Sequence, residues 1–496
     1  MLILVVLSVA QFLIALDYSI VYLALPSMAR GLALPPAVTP WVVSAYAVLF
    51  AGFLIVGGRL SDRFGARPMF VLAMGVFGVA SGAGAAAGNG TVLLAARGVQ
   101  GLGAALLQPA VLGLIGTRFP AGARRARALS VWAAVGAGGL AAGVLLGGLL
   151  TAVSWRLTLL VNVPPAVACA VVAWVGGDAG VTFGVGEDGG AGVEDGAEVG
   201  REAGLEAGPS RTIPVLASAL STGAVVTLVL GLTFGTAQGW KSGPALECLA
   251  AALVLGVAFG RYERRAGSPL IEPGLRRIRS LRVGAGAAAL YMASVGSEFY
   301  LVTLLLQTMR GESAARAGVA FLPLAACVTV GSTATGRLIR RFGLAATLAG
   351  GFGGAAAGLG WLALMVRGGY VTGLLPGLVI SGLAHGVIYT ATFVAGSRDV
   401  PAGQQGTAGA LLTTAQYLAG AVTLAVLTLI LGRAGGYAGF AIAFGFTAAA
   451  AAAGVLLAVA GLNGGRDGSA AGRRRDRTSG DGVAGAGPGQ GRVFSG

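Results

Sequence analysis

The chain has 496 residues, 55% of them hydrophobic and only 11% charged, with a mean hydropathy of +0.82; apolar runs near 20 residues recur from end to end, which excludes a soluble globular protein. Its net charge of +15 comes from arginines in short loops between those runs, so it fits the positive-inside pattern of a polytopic membrane protein and excludes nucleic-acid binding. Cys169, Cys248 and Cys327 are isolated, with no spacing for a metal or a disulfide, and the single histidine argues against acid–base catalysis.

The first predicted helix covers Leu2–Leu25 and carries Asp17, an acid out of place in a secretory leader. Further apolar runs at 41–57, 69–87, 92–117, 128–151 and 158–176 complete a six-helix half over residues 1–176. Between the second and third runs lies the charged turn Gly58–Pro68, GRLSDRFGARP. Its glycines permit a tight reversal and Pro68 suits a first helical turn. Asp62, placed before a helix N-terminus with Arg59, Arg63 and Arg67 around it, forms a cluster that can hold helix ends together and release them. In the fourth run Arg97, Gln100, Gly101, Ala104 and Gln108 share one narrow helical stripe, predicted to face a central cavity. In the fifth, Gly136, Gly139, Gly143 and Gly147 share another, which allows close helix contact.

Residues 177–211 are rich in Gly, Glu and Asp and lack the apolar surface to fold alone; they are predicted to be a disordered cytoplasmic linker. Residues 212–262 hold two additional spans, near 214–234 and 244–260, with Glu247 at an interface. Residues 263–462 hold six more, near 283–307, 315–335, 344–366, 370–395, 407–431 and 437–462, for a total of fourteen. The tail 463–496 is polar, contains Arg473, Arg474 and Arg475, and reads as disordered. Placing the arginine-rich loops inside makes both termini cytoplasmic.

The second half repeats the first. Gly336–Gly343, GRLIRRFG, matches Gly58–Gly65 with Arg340 where Asp62 stood, the signature of parallel repeats. Asp17 and Glu298 lie 281 positions apart, close to the 278 between Gly58 and Gly336, so the two carboxylates are expected at similar depths in opposite halves. A charge at the bilayer centre costs about 2.5 to 3.5 kcal/mol on insertion scales, so Asp17, Arg97 and Glu298 each need a pathway, a partner or a proton. His385, between Gly382 and Gly386, reads as a packed or hydrogen-bonded histidine in preference to a proton relay.

Taken in order, several of these stretches resemble the major facilitator superfamily, and within it the fourteen-helix drug:proton antiporters. Gly58, Asp62, Arg63, Gly65 and Arg67 match the loop pattern G-x-L-x-D-R-x-G-x-[RK]. Leu16–Pro26, LDYSIVYLALP, is similar to the first-helix motif L-D-x-T-[IV]-V-N-V-A-L-P, with Tyr22 for the usual Asn. RGVQGLGAALLQP from Arg97 resembles R-x-x-Q-G-x-G-A-A, Asn162-Val163-Pro164 the lead into the sixth helix, and Gln307–Pro323 a motif between the ninth and tenth. Gly143, Gly147 and Gly148 match the antiporter motif G-x-x-x-G-P-x-x-G-G, except that Val144 stands where the proline belongs.

The resemblance implies an all-α integral membrane protein of the major facilitator fold: two pseudo-symmetric six-helix halves plus two extra central helices, in a bacterial cell membrane. It implies a conformational switch in the 58–67 loop and proton coupling through Asp17, Arg97 and Glu298. Tyr22, Tyr46, Gln100, Gln108, Tyr291, Phe299, Tyr300, His385 and Gln416 become candidates for lining a substrate cavity. The implied function is proton-coupled efflux of drugs or antibiotic-like, amphipathic or cationic small molecules by alternating access. The proton motive force drives it without a cofactor, and no Walker motif is present. Val144 leaves open import or facilitated movement of a metabolite, and a membrane enzyme or scaffold is the remaining alternative.

Overall fold

A strongly apolar chain in lipid must satisfy its backbone hydrogen bonds within each segment, and helices do so. The computed structural model describes residues 2–35, 38–39, 41–120, 122–178, 214–266 and 269–463, and no strand occurs among them. The long helices are α1 (Leu2–Gly31), α2 (Trp41–Phe64), α3 (Ala66–Ala85), α4 (Gly90–Arg118), α5 (Ala123–Val153), α6 (Trp155–Val175) and α7 (Val215–Gln238). They continue with α8 (Gly243–Arg265), α9 (Arg279–Met309), α10 (Arg316–Phe342), α11 (Leu344–Leu364), α12 (Tyr370–Ser397), α13 (Ala402–Ala434) and α14 (Gly436–Asn463). Among the described residues, thirteen helices are long and apolar enough to cross a membrane. The remaining expected span corresponds to α5, whose 31 residues reach roughly 46 Å at 1.5 Å per residue.

Most of the helices are longer than the apolar runs, α11 being the exception. Most notably, α1 continues through Pro26 to Gly31 instead of ending at Leu25. The expected linker 177–211 lies, beyond Asp178, outside the described residues, as does the tail from 464 onward.

The internal repeat is visible in the packing. α1 packs on α5, α2 on α4, and α3 on both α4 and α6; the same pairings recur between α9 and α13, α10 and α12, and α11 with α12 and α14. The contacts between halves obey the same exchange, since α2 meets α13 and α5 meets α10. α7 packs on α8 and against α2 and α13, while α8 is exposed along almost its whole apolar stretch, as a helix facing lipid would be. Both copies of the short charged turn pivot on a glycine at positive φ, Gly65 (φ 92°) before α3 and Gly343 (φ 84°) before α11. Only glycine enters that region freely.

Small residues set the approach of α1 to α5. A Cβ on Gly139 would lie 2.6 Å from the Phe12 carbonyl, and one on Gly143 2.7 Å from that of Leu16. Such backbone-to-backbone contact replaces the hydrophobic drive that lipid does not supply.

Candidate functional site

Asp17 sits halfway along α1, fully buried, where α3, α4 and α6 converge on it. Arg97 Nη1 donates to Asp17 Oδ2 at 2.8 Å, and Gln100 Nε2 and Asn162 Nδ2 donate to Oδ1 at 2.9 and 3.0 Å. Gln100 Oε1 in turn accepts from Arg97 at 2.6 Å, and Arg97 Nε donates to the Val42 carbonyl at 3.1 Å. The Ser81 hydroxyl accepts from both Gln100 and Asn162 and donates to the Leu159 carbonyl at 2.8 Å. The Tyr46 ring covers the guanidinium, 4.7 Å from ring centroid to Cζ. Burying two charges is tolerable only when geometry and additional hydrogen bonds offset their lost hydration, and here both oxygens of the carboxylate are engaged. Close approach of α4 to α2 makes the arrangement possible, because a Cβ on Gly101 would lie 2.3 Å from the Tyr46 carbonyl.

Glu298, on α9, is the counterpart in the second half and is also buried. The Ser381 hydroxyl donates to its Oε1 at 2.6 Å across 83 residues of sequence, the same separation that joins Asp17 to Gln100. The rest of the shell differs. Arg97 follows Asp17 by 80 residues and Asn162 by 145; those spacings from Glu298 fall on Leu378 and Ala443, both fully buried and apolar. Glu298 Oε2 has no hydrogen-bond partner among the described residues. The scaffold thus buries two carboxylates alike, and it gives only the first a counter-cation.

At the end of the bundle bearing the α2–α3 turn, the halves are closed against each other. Asp62 lies in the last turn of α2 and does not cap the helix that follows it. Its carboxylate accepts the backbone N–H groups of Gly406 (2.9 Å) and Thr407 (2.8 Å), at the start of α13 and 344 to 345 residues away. The positive end of a distant helix dipole is its partner. Gly58 makes room for this contact, since its Cβ would lie 2.6 Å from that of Ala410.

Of the three arginines expected around Asp62, Arg59 stays close enough to act on its carboxylate, and Arg63 and Arg67 turn elsewhere. Arg59 Nη1 donates to Glu272 Oε1 at 2.7 Å, Arg67 donates to the carbonyls of Ala173 and Trp174, and Arg63 lies over the Phe64 ring. Glu272 belongs to the α8–α9 connector and accepts from Gln404 through its other oxygen, so it bridges α2 to α13. Glu263, at the end of α8, orders that connector by accepting from the Leu270 and Ile271 N–H groups and from Arg276. Arg125, at the start of α5, adds a cross-half bond from Nη1 to the Ser397 carbonyl at 3.3 Å.

The remaining cavity candidates are scattered in role. Tyr46, Gln108, Tyr291 and Gln416 are buried, and Phe299 stacks on Phe321 at 4.2 Å within one half. The Tyr291 hydroxyl hydrogen-bonds His385 Nε2, as a packed histidine requires. Tyr300 is partly exposed, and the side chain of Tyr22 lies outside the described residues. Gly147 is buried in α5, whereas Gly148 faces open space. Glu272, Gln404, Ser81 and Ser381 were not singled out from sequence, because lone polar residues in loops or apolar helices carry no motif.

The comparisons agree with this architecture. The family model described as Major Facilitator Superfamily matches residues 7–186 and 210–424. The chain is 33% identical to the puromycin resistance protein pur8 of Streptomyces alboniger over 438 residues, covering 86% of this chain and 81% of the relative. It is equally 33% identical, over 433 residues, to the cephamycin export protein CmcT of Amycolatopsis lactamdurans, covering 86% and 84%. Among solved structures, the human organic anion transporter MFSD10 aligns with a TM-score of 0.62 at 15% identity, covering 92% of this chain and 98% of that one. Repeated helix pairing, buried carboxylates and family match lead to one conclusion: the chain belongs to the Major Facilitator Superfamily, as a multi-spanning secondary transporter.

Proposed function

We propose that this transporter expels antibiotic-like small molecules in exchange for protons by alternating access. The observation that carries the reading is the pair of buried carboxylates related by the repeat, of which Glu298 alone lacks a cation at the corresponding spacing. Glu298 is buried with one unpartnered carboxylate oxygen and no counter-cation, so it is the group that takes up and releases a proton as its surroundings open to either side. Asp17 and Arg97 form a preassembled pair, which a proton or a substrate charge separates when the first half rearranges. The membrane potential contributes about 2.3 kcal/mol per charge per 100 mV to that cycle.

The closed end carries the Asp62 and Glu272 contacts and is assigned to the cytoplasmic side, so both termini are assigned there and this conformation is closed to the cytoplasm. Names of relatives that include resistance and export support outward transport of drug-like cargo. Val144 in place of the antiporter proline favours a second reading, import or facilitated movement of one metabolite.

Proteoliposomes with an imposed pH gradient decide between them. A panel of fluorescent cations and antibiotics is expected to move against its gradient in wild type, to stop with a protonophore, and to lose its proton dependence in Glu298→Gln. Gradient-independent movement, or proton-driven movement unaltered by Glu298→Gln, would overturn the assignment.

A further inference from the structure

Two rows of aromatic rings cross between the halves. In one, Tyr46 stacks on Phe50, whose ring meets Tyr417 of α13 edge-on at 4.7 Å. In the other, Trp132 of α5 lies nearly parallel to Tyr389 of α12, with centroids 5.5 Å apart and planes inclined by 16°. Phe393 closes on the edge of the indole at 5.3 Å, and Tyr291 braces Tyr389 from its own half at 5.4 Å. Trp132 is fully buried, and its indole N–H has no acceptor among the described residues. Tyr389 lies eight residues beyond Ser381, about 12 Å along α12 toward the closed end. The second row therefore lies just inside the Asp62 and Arg125 contacts and parts after them when that end opens.

Separating α5 from α12 removes Trp132 from Tyr389 and bares two flat, facing rings together with a donor that had no partner. Aromatic rings gain from offset or edge-on contact with one another beyond their burial. A third flat ring set between the two recovers both faces, and a carbonyl on it satisfies the indole N–H. Asp17 is already paired with Arg97, and Glu298 bonds Ser381, about 12 Å along α12 from Tyr389, so the layer itself presents no acid and asks for no positive charge. On release of the cargo, Trp132 and Tyr389 close on each other and leave no void, which matters because an empty cavity in a packed interior is costly.

We propose that Trp132 and Tyr389 are the two jaws of a slot for a planar, uncharged aromatic ring system bearing a hydrogen-bond acceptor, and that this slot selects flat aromatic cargo over aliphatic cargo. The proposal rests on the export reading and adds the chemistry of what is exported. Acridone, a neutral, fluorescent, tricyclic ketone, is the probe, titrated into the purified full chain with empty micelles as the blank. Tyr389→Leu and Trp132→Leu are expected to raise its Kd at least tenfold, Tyr389→Phe to stay within threefold, and Trp132→Phe, which keeps a ring but loses the indole N–H, to fall between the two. Anthraquinone is expected to displace bound acridone, and camphor, an aliphatic ketone, to leave it bound.

Should Trp132→Leu fail to fold, the Tyr389 pair carries the test, because that ring is only partly buried. Wild type that does not bind acridone, leucine variants that bind it as tightly as wild type, or displacement by camphor would each overturn the slot. Ring-dependent binding without proton-driven export would instead overturn the export reading and leave the slot standing.

Discussion

Asp17→Asn removes the countercharge from Arg97 while keeping nearly the same volume. The guanidinium is 2% exposed and cannot reach water, and an orphaned buried charge of this kind costs about 3–5 kcal/mol. At an unfolding entropy of about 2.1 cal/mol/K per residue, the roughly 420 described residues convert 1 kcal/mol into about 1 °C. A fall of about 3–5 °C in the midpoint of thermal unfolding, followed by intrinsic fluorescence in micelles, is expected. The double variant Asp17→Asn with Arg97→Gln removes both charges and is expected to recover most of that loss, a non-additivity that identifies direct coupling. Glu298→Gln, which leaves no cation stranded, is expected to stay within about 1 °C of wild type by the same conversion. Equal losses in Asp17→Asn and Glu298→Gln, or a double variant no better than Asp17→Asn alone, would refute the contrast drawn between the two carboxylates.

Asp62→Asn weakens two charge-assisted bonds to α13 by about 1–2 kcal/mol together, which shifts the closed-to-open balance at that end about 5- to 30-fold; labelling of a Ser397→Cys reporter checks it, and unchanged labelling rules it out. Glu272→Gln and Arg59→Gln are each expected to raise the same labelling and to be non-additive in combination; additive effects would show that Glu272 does not join α2 to α13 through Arg59. Gly143→Val places a side chain where a Cβ would lie 1.9 Å from Ser19 Oγ, while Gly148→Val meets open space. The first is expected to abolish a monodisperse peak in size-exclusion chromatography and the second to preserve it, because overpacking costs about 1–3 kcal/mol or more. Two equally well-behaved variants would contradict the α1–α5 packing.

Apolar run length and arginine-rich loops were enough to read the helical order, since lipid imposes both patterns locally. The charged residues within spans were legible for the same reason: Asp17 and Arg97 stand out because lipid makes unpaired charges costly. Less of their surroundings could be read. Ser81 and Asn162 complete the Asp17 network as neutral groups, and a serine or asparagine in an apolar helix does not announce its partner. The Asp62 contact failed for a different reason. A carboxylate beside a turn suggests the nearest helix end, whereas packing of the two halves supplied another helix end far along the chain. Glu272 was hidden in a connector whose arginines drew attention as topological signals. The end of α1 was misplaced because Pro26 reads as a helix stop, although long membrane helices accommodate proline.

The placing of α7 and α8 has a consequence of parity. A parallel repeat requires the second half to enter the membrane from the same side as the first, so anything spliced between the halves must cross an even number of times. The seam is also a point where a hairpin can be added without interrupting any helix pairing within either half. A single crossing there would turn the second half upside down and set the wrong end of α13 before Asp62; a pair keeps the handedness of the whole and delivers Glu272 to the closed end.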